Sequence, residues 1–312
     1  MPSNQICFCA DHVRKVPARR SLGNTIFSNS AFNGDACPPP GMEEDGSMLR
    51  PDGDQPIGFG PTTFGLTTCG RFTALPVLII LHGPMSTPGR VGNALRAMGH
   101  PLDVRRPVFG DPLPETLDHY AGAITFGGPM SANDNEDFIR REIDWLAVPL
   151  KEQRPFLGIC LGAQMLAKHL GAKVAPHPDG RAEVGYYPIR PTEHGRKICS
   201  HWPDHVYQWH REGFELPART EQLAEGDDFP VQAFRTGRSF GIQFHPDVTH
   251  AMLHRWTTRG HERMSLPGAR SRAEHFTGRM VHDLAERAWL TAFLDGWLHR
   301  PPPAPIASLA AE

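Results

Sequence analysis

Hydrophobic positions stay scattered from the amino end until Pro76, after which Val77-Leu78-Ile79-Ile80-Leu81 forms an unbroken apolar run. A run without polar alternation predicts a strand covered on both faces, as the strands of a parallel sheet are. Pro88 then sets a helix start, Val91, Leu95 and Met98 recur at helical spacing, and Gly99 supplies the stop. Residues 102–106 and 121–126 read as two more strands, and Phe138, Ile139, Ile143, Trp145 and Leu146 put one helix across 136–150. Another strand spans 156–159, followed by a helix over 161–170 that Gly171 closes. Beyond Tyr186 the pattern shortens into strands that include 206–209, 231–234 and 240–244, divided by Gly, Pro and Asp turns. A helix after Pro246 and a final one over 283–298 complete the pattern.

Strands alternating with helices predict right-handed crossovers and therefore an α/β fold, an open, mostly parallel sheet with helices on both faces. Ligands of such sheets bind beyond the carboxyl ends of the strands. Residues 1–74 break from this texture, with Pro38-Pro39-Pro40 and many Gly, Asn and Ser but no sustained apolar period. They are expected to form a disordered extension, 75–300 a single catalytic domain, and 301–312, rich in Pro and Ala, a flexible tail.

Composition narrows the function. The formal net charge is -2 over 312 residues, without the basic footprint of a nucleic-acid binder. The longest apolar run, 74–81, is far shorter than the roughly 20 residues that span a bilayer, so no membrane partner is expected. The first residues mix Cys, Asp, His and Arg instead of forming a leader, which predicts a cytoplasmic protein. Six cysteines, at 7, 9, 37, 69, 160 and 199, show no Cys-x-x-Cys pair and suit a reducing compartment. His250 and His254 would share one helix face, but with no Glu between them and no third ligand they read as surface or packing residues. No metal and no cofactor is expected. Trp145, Trp289 and Trp297 sit at helical positions and read as packing residues.

The sharpest chemistry is Gly158-Ile159-Cys160-Leu161-Gly162-Ala163-Gln164, between a strand and a helix. Glycines on both sides of Cys160 permit a tight elbow, and the helix N-terminus favours the thiolate form of a sulfur beside it. A cysteine alone reads as a small core residue; in this elbow Cys160 reads as a nucleophile. A nucleophilic thiol needs a base, and His245 follows an apolar strand, with Asp247 two residues on to fix its tautomer. An oxyanion needs backbone donors. Gly127-Gly128-Pro129 follows another buried strand, so the amides of Gly128 and Leu161 are assigned that role. His82-Gly83-Pro84-Met85, after the first strand, has no reading beyond a loop near the site.

These three segments together resemble the class I glutamine amidotransferase family, whose marks are a Gly-Gly-Pro loop, a Gly-x-Cys-x-Gly-x-Gln elbow and a late His-Pro-Glu. The similarity covers about 75–298 and most resembles free-standing bacterial members with no fused synthetase. It implies a flavodoxin-like architecture and hydrolysis of the glutamine side-chain amide through a γ-glutamyl thioester on Cys160, with the proton for ammonia given by His245. It also implies glutamine or a γ-glutamyl amide as ligand, and ammonia either passed to a synthetase subunit or released by a self-standing amidase. Gln164 matches the family's elbow Gln, and Gln208-Trp209-His210-Arg211-Glu212 corresponds to its substrate-backbone segment, which makes Trp209, His210 and Glu212 substrate-binding candidates. Trp209 reads either as a pocket wall or as packing. One departure stands out, since Asp247 replaces the family's Glu and reaches about 1.5 Å less far. That shortening keeps open a non-catalytic binding module, beside the alternative of a γ-glutamyl peptide or conjugate hydrolase on the same residues.

Overall fold

In the computed structural model, residues 74–299 are described. The extension expected at 1–74, its last residue apart, and the tail expected at 301–312 lie outside them. The apolar run forms β1 (Val77–Ile80), and its alternate side chains enter two separate layers. Val77 and Ile79 join a core with Val91, Leu95, Phe293 and Trp297, whereas Leu78 and Ile80 join one with Ile139, Met165 and Leu166. Helices therefore cover both faces, as a strand without polar alternation requires.

The amino half alternates as expected, through α1 (Gly89–Ala97), β2 (Leu102–Arg105), β3 (Gly122–Thr125), α2 (Asp137–Trp145), α3 (Ala147–Glu152), β4 (Phe156–Ile159) and α4 (Leu161–His169). Glycines at positive φ end two of these helices, Gly99 at +88° and Gly171 at +84°. The helix expected over 136–150 is two helices, because Pro149 can donate no backbone hydrogen bond and its ring obstructs the preceding turn. The chain restarts at Ala147, which brings Pro149 into a first turn, where no donor is needed.

The carboxyl half holds β5 (Val174–Pro176), β6 (Glu183–Pro188), β7 (Arg190–Pro191), α5 (Glu193–Ile198), β8 (His205–His210), β9 (Glu212–Phe214), β10 (Glu221–Glu225), β11 (Ala233–Thr236), β12 (Ser239–Ile242), α6 (His250–Arg259) and α7 (Arg272–His299). One 8-stranded sheet runs β2-β1-β3-β4-β12-β11-β10-β7. The five strands from β2 to β12 are parallel, and β11, β10 and β7 add an antiparallel flank. Two small antiparallel pairs, β5 with β9 and β6 with β8, stand outside that sheet. Among the described residues no helix is long and apolar enough to cross a membrane.

The last helix begins well before the expected 283. Its first half hides from a search for apolar periodicity because Met280, Val281 and Leu284 are exposed at 88%, 66% and 79%, while His275 is buried. Gly278 lets this half press onto β6, since a Cβ there would stand 2.6 Å from Cδ2 of Tyr186. The Tyr186 ring in turn packs edge-on to Tyr207 at 5.2 Å between centroids. Alanine normally stabilises a helix by ~1 kcal/mol over glycine. Gly278→Ala is nevertheless expected to lower the melting temperature; a rise in the melting temperature would show that the ring yields freely.

Candidate active site

Strand β4 delivers its carboxyl end into Cys160, whose backbone takes φ +51° and ψ -104° before α4 begins. A non-glycine residue holds such a conformation only where its surroundings compel it. Here the compulsion is close packing of backbone. A Cβ on Gly158 would lie 2.5 Å from the carbonyl carbon of Gly162, and one on Gly162 would lie 2.3 Å from the carbonyl oxygen of Thr125 in β3. Both glycines are thus required for the helix to start against the strands, and Cys160 is left at its N-terminus, only 6% exposed.

The imidazole arrives from the neighbouring parallel strand. β12 pairs with β4 through Ile242 and Ile159, and the Cys160 amide donates to the Ile242 carbonyl at 2.8 Å. Three residues beyond Ile242, the His245 amide donates to Tyr207 of β8 at 2.8 Å. A Cβ placed on Gly127 would lie 2.6 Å from His245 Cε1, 3.3 Å from its Nε2 and 3.4 Å from Cβ of Cys160. Gly127 is therefore the shared floor of thiol and imidazole. His245 Nδ1 lies 3.1 Å from Asp247 Oδ1, which leaves Nε2 for the sulfur side. Burial opposes charge on the ring, but the Cys160 sulfur and the Asp247 carboxylate outweigh it, and the His245 pKa is pushed up to about 10.

The shorter acid does reach. Its turn is pinned by the start of α1, where the Arg90 amide donates to the Asp247 carbonyl at 2.8 Å and the Arg90 guanidinium to the Val248 carbonyl at 2.7 Å. A Cβ on Gly89 would fall 2.1 Å from that same Asp247 oxygen, so the helix end and the His-Pro-Asp turn meet without intervening side chain. Behind them Glu286 of α7 accepts from the Tyr207 amide at 3.2 Å. Burial raises the Glu286 pKa to about 8, with Arg90 and the Tyr207 amide pulling the other way.

The loop at Gly127 and Gly128 has a support that sequence reading missed. His82, from the uninterpreted His-Gly-Pro-Met stretch, is 1% exposed, and its Nε2 stands 3.1 Å from both oxygens of Glu142 in α2. Its Nδ1 donates to the Gly127 carbonyl at 3.3 Å. Burial opposes its protonation, yet the Glu142 carboxylate and the carbonyls of Gly127 and Phe126 prevail and raise its pKa. In a trans peptide the N–H points opposite to the C=O. Anchoring the Gly127 carbonyl on His82 therefore turns the Gly128 amide away from His82. A signal existed, because Glu142 is a charge three positions after Ile139 on the buried face of an amphipathic helix.

The substrate-side candidates divide. Trp209, Glu212, Gln164, His210, Leu161 and Gly128 all border one narrow cleft that reaches Cys160. Gln164 spends its amide nitrogen on the Glu212 carbonyl at 2.8 Å, and His210 spends Nδ1 on that carbonyl at 3.0 Å and Nε2 on Glu183 at 3.0 Å. Gln164 and His210 thus brace the wall through those nitrogens. Glu183 and Gln232, joined at 2.9 Å, complete the buried network, and neither was singled out by sequence. Trp209 also borders a larger cavity of about 440 Å³ that opens over Cys160, His245 and Asp247. His250 and His254 lie edge-on to Phe276, and Trp145, Trp289 and Trp297 are buried. Among the described residues no group of three His, Cys, Asp or Glu is arranged to hold a metal.

Comparisons with known proteins agree with the fold. The family model for glutamine amidotransferase class-I matches residues 89–255. A glutamine amidotransferase-like protein of Salmonella typhimurium is 28% identical over 227 residues, 68% of this chain and 90% of that one. A glutamine-hydrolyzing GMP synthase of Thermus thermophilus is 32% identical over 57% of this chain, which spans 35% of that relative's length. Crystal structures of a glutamine amido transferase from Methylobacillus flagellatus (TM-score 0.68, 25% identity) and a glutamine amidotransferase from Thermotoga maritima (TM-score 0.66, 28%) each cover 72% of this chain, and 94% and 98% of their own.

Removing one partner of a buried ion pair costs about 3–5 kcal/mol, and Glu142→Ala is expected to lose that much in denaturant unfolding. Because the His82 pKa is raised from 6.5, the stability contribution of the pair is complete below that pH and fades as pH rises through the raised value. The loss should therefore be largest at pH 6 and shrink as the pH is taken up through the raised value; a loss that does not change over the whole range in which the protein stays folded would mean that the pair is not ionic.

Proposed function

The chain belongs to the glutamine amidotransferase class-I family, and on that premise we propose that it hydrolyses the side-chain amide of glutamine to glutamate and ammonia, with Cys160 as nucleophile. The observation that carries the proposal is the meeting of Cys160 and His245 over Gly127, with Asp247 Oδ1 3.1 Å behind the imidazole. Sγ of Cys160 attacks the amide carbon, and the amides of Gly128 and Leu161 receive the charge that develops on oxygen. When the carbon–nitrogen bond breaks, ammonia leaves with the proton of His245. Water, deprotonated by His245, then opens the γ-glutamyl thioester and restores the sulfur. Asp247 holds the tautomer and favours the imidazolium, and its direct contact supports catalysis over a non-catalytic scaffold.

Gln164, Trp209, His210 and Glu212 shape the acyl side, the first and third through the bonds that brace its wall. Two routes for the ammonia fit this reading. The partial match to a glutamine-hydrolyzing GMP synthase supports delivery to a separate synthetase subunit, and the near full-length match to the Salmonella typhimurium protein supports a self-standing enzyme. The unpaired thiol suits a reducing cytoplasm.

An electrophilic glutamine analogue is expected to label Cys160, as read by mass spectrometry, and Cys160→Ala to reduce ammonia release at least a thousandfold. An alanine variant that works at the original rate would end the proposal. Ammonia departs on a proton held below the His245 pKa of about 10. Since the Asp247 carboxylate helps raise that value, Asp247→Asn should move the alkaline limb of the rate profile to lower pH; an unmoved limb would remove Asp247 from the proton chemistry.

A further inference from the structure

The peptide between Gly127 and Gly128 has no side chain on either flank, so rotation of its plane meets none of the resistance that a Cβ would add. Of its two polar ends, one is held and one is free. The Gly127 carbonyl accepts from His82 Nδ1 at 3.3 Å. Among the described residues nothing accepts from the Gly128 amide, and nothing accepts from the amide of Leu161, the first residue of α4. These two residues stand against each other, since a Cβ on Gly128 would lie 3.0 Å from Cδ2 of Leu161, and both border the cleft that reaches Cys160. Two unpartnered N–H groups beside a nucleophile suit a developing oxyanion. The same peptide turned over would put a carbonyl oxygen there and repel that charge.

His82 is placed to fix the choice. It follows β1, whose last residue Ile80 accepts from the Phe126 amide at 3.1 Å, so the ring stands next to the loop after β3. A Cβ on Gly128 would lie 2.8 Å from Cβ of His82, which leaves no room between them. Both ring nitrogens face acceptors, the Gly127 carbonyl at Nδ1 and the two Glu142 oxygens 3.1 Å from Nε2. The ring satisfies both sides at once only with two protons; a neutral ring donating to Glu142 would present a lone pair to the carbonyl. Glu142, fully buried on α2, therefore keeps the donor on Nδ1. Neither residue borders the cleft or the cavity at Cys160, so neither touches substrate.

We infer that His82 and Glu142 are positioning residues for the amide hydrolysis, holding the Gly127 carbonyl so that the Gly128 N–H faces the oxyanion. The inference rests on the amidase reading above. In the step it serves, Sγ forms its bond to the amide carbon while an electron pair of the C=O bond moves onto oxygen, where the Gly128 and Leu161 amides meet it. The pair thus acts on turnover and leaves the thiol, which His245 and Asp247 control, unchanged.

The test uses the full chain with His82→Leu and Glu142→Leu combined. Exchanging both members of a buried ion pair for apolar residues of similar volume often preserves stability, and thermal unfolding checks that it does here. The kcat for glutamine should fall about a hundredfold, the cost of one lost oxyanion donor. KM should stay within about threefold, as for an interaction made in the transition state. Alkylation of Cys160 by iodoacetamide, read by mass spectrometry, breaks a carbon–iodine bond and builds no oxyanion, so its rate should match that of the unmodified protein. Should the leucine pair fail to fold, His82→Phe with Glu142→Gln, which keeps the shapes and removes the donor, is read in the same way. Hydrolysis at the original kcat by a folded variant would overturn the role of the pair and leave the amidase standing. A fall in alkylation as large as the fall in kcat would overturn it as well, because the damage would then extend to the thiol. An unmodified protein that neither hydrolyses glutamine nor takes an electrophilic glutamine analogue on Cys160 would overturn the amidase reading, and the inference with it.

Discussion

The site depends on the parallel ladder between β4 and β12. That pairing sets Ile159 beside Ile242 and ends in the bond from the Cys160 amide to the Ile242 carbonyl. Because parallel strands point their carboxyl ends the same way, the residues that follow each strand emerge on one edge of the sheet. A thiol and an imidazole far apart in the chain are thus brought to one place by backbone hydrogen bonds before any side-chain attraction acts. β3 is the next strand over, and the loop after it supplies Gly127 as the surface on which the two groups meet. A shift of one residue in that register would turn the elbow away from the loop that carries His245.

Around this ladder, strain and burial are kept in place by polar contacts to backbone. Cys160 sits in a costly conformation because α4 is packed onto β3 and β4 without side chains between them. The His-Pro-Asp turn is held by the first turn of α1, and His82 with Glu142 holds the Gly127 carbonyl. Each support approaches from a different layer, α1 from one face of the sheet and α2 from the other. The groups in the centre therefore have little freedom to rearrange, as preorganised electrostatics requires.

Much of this was legible in the chain. The unbroken run in β1 announced a strand buried on both faces, and the glycines around Cys160 announced a tight turn. Local pattern failed where the physics is not local. The split between α2 and α3 follows from a single proline inside a good apolar period, and the early start of α7 rests on Gly278 against Tyr186 while its own apolar side chains face outward. His82 and Glu142 are each readable as buried polar residues, but nothing in a sequence says which acid meets which histidine. The shorter reach expected of Asp247 followed from side-chain length alone. The pinned turn at Gly89 and Arg90 brings the carboxylate close enough, and that is a property of the backbone around it.

The two outermost strands of the large sheet carry a final consequence. At one border β7 is only Arg190–Pro191, and proline has no N–H to offer a further strand. At the other, β2 sets Asp103 and Arg105 into an ion pair at 2.8 Å. A terminated ladder on one flank and a charged one on the other discourage stacking of sheets end to end between molecules. The scaffold that exposes its strand tips to small ligands is therefore guarded along its sides against self-association into fibrils.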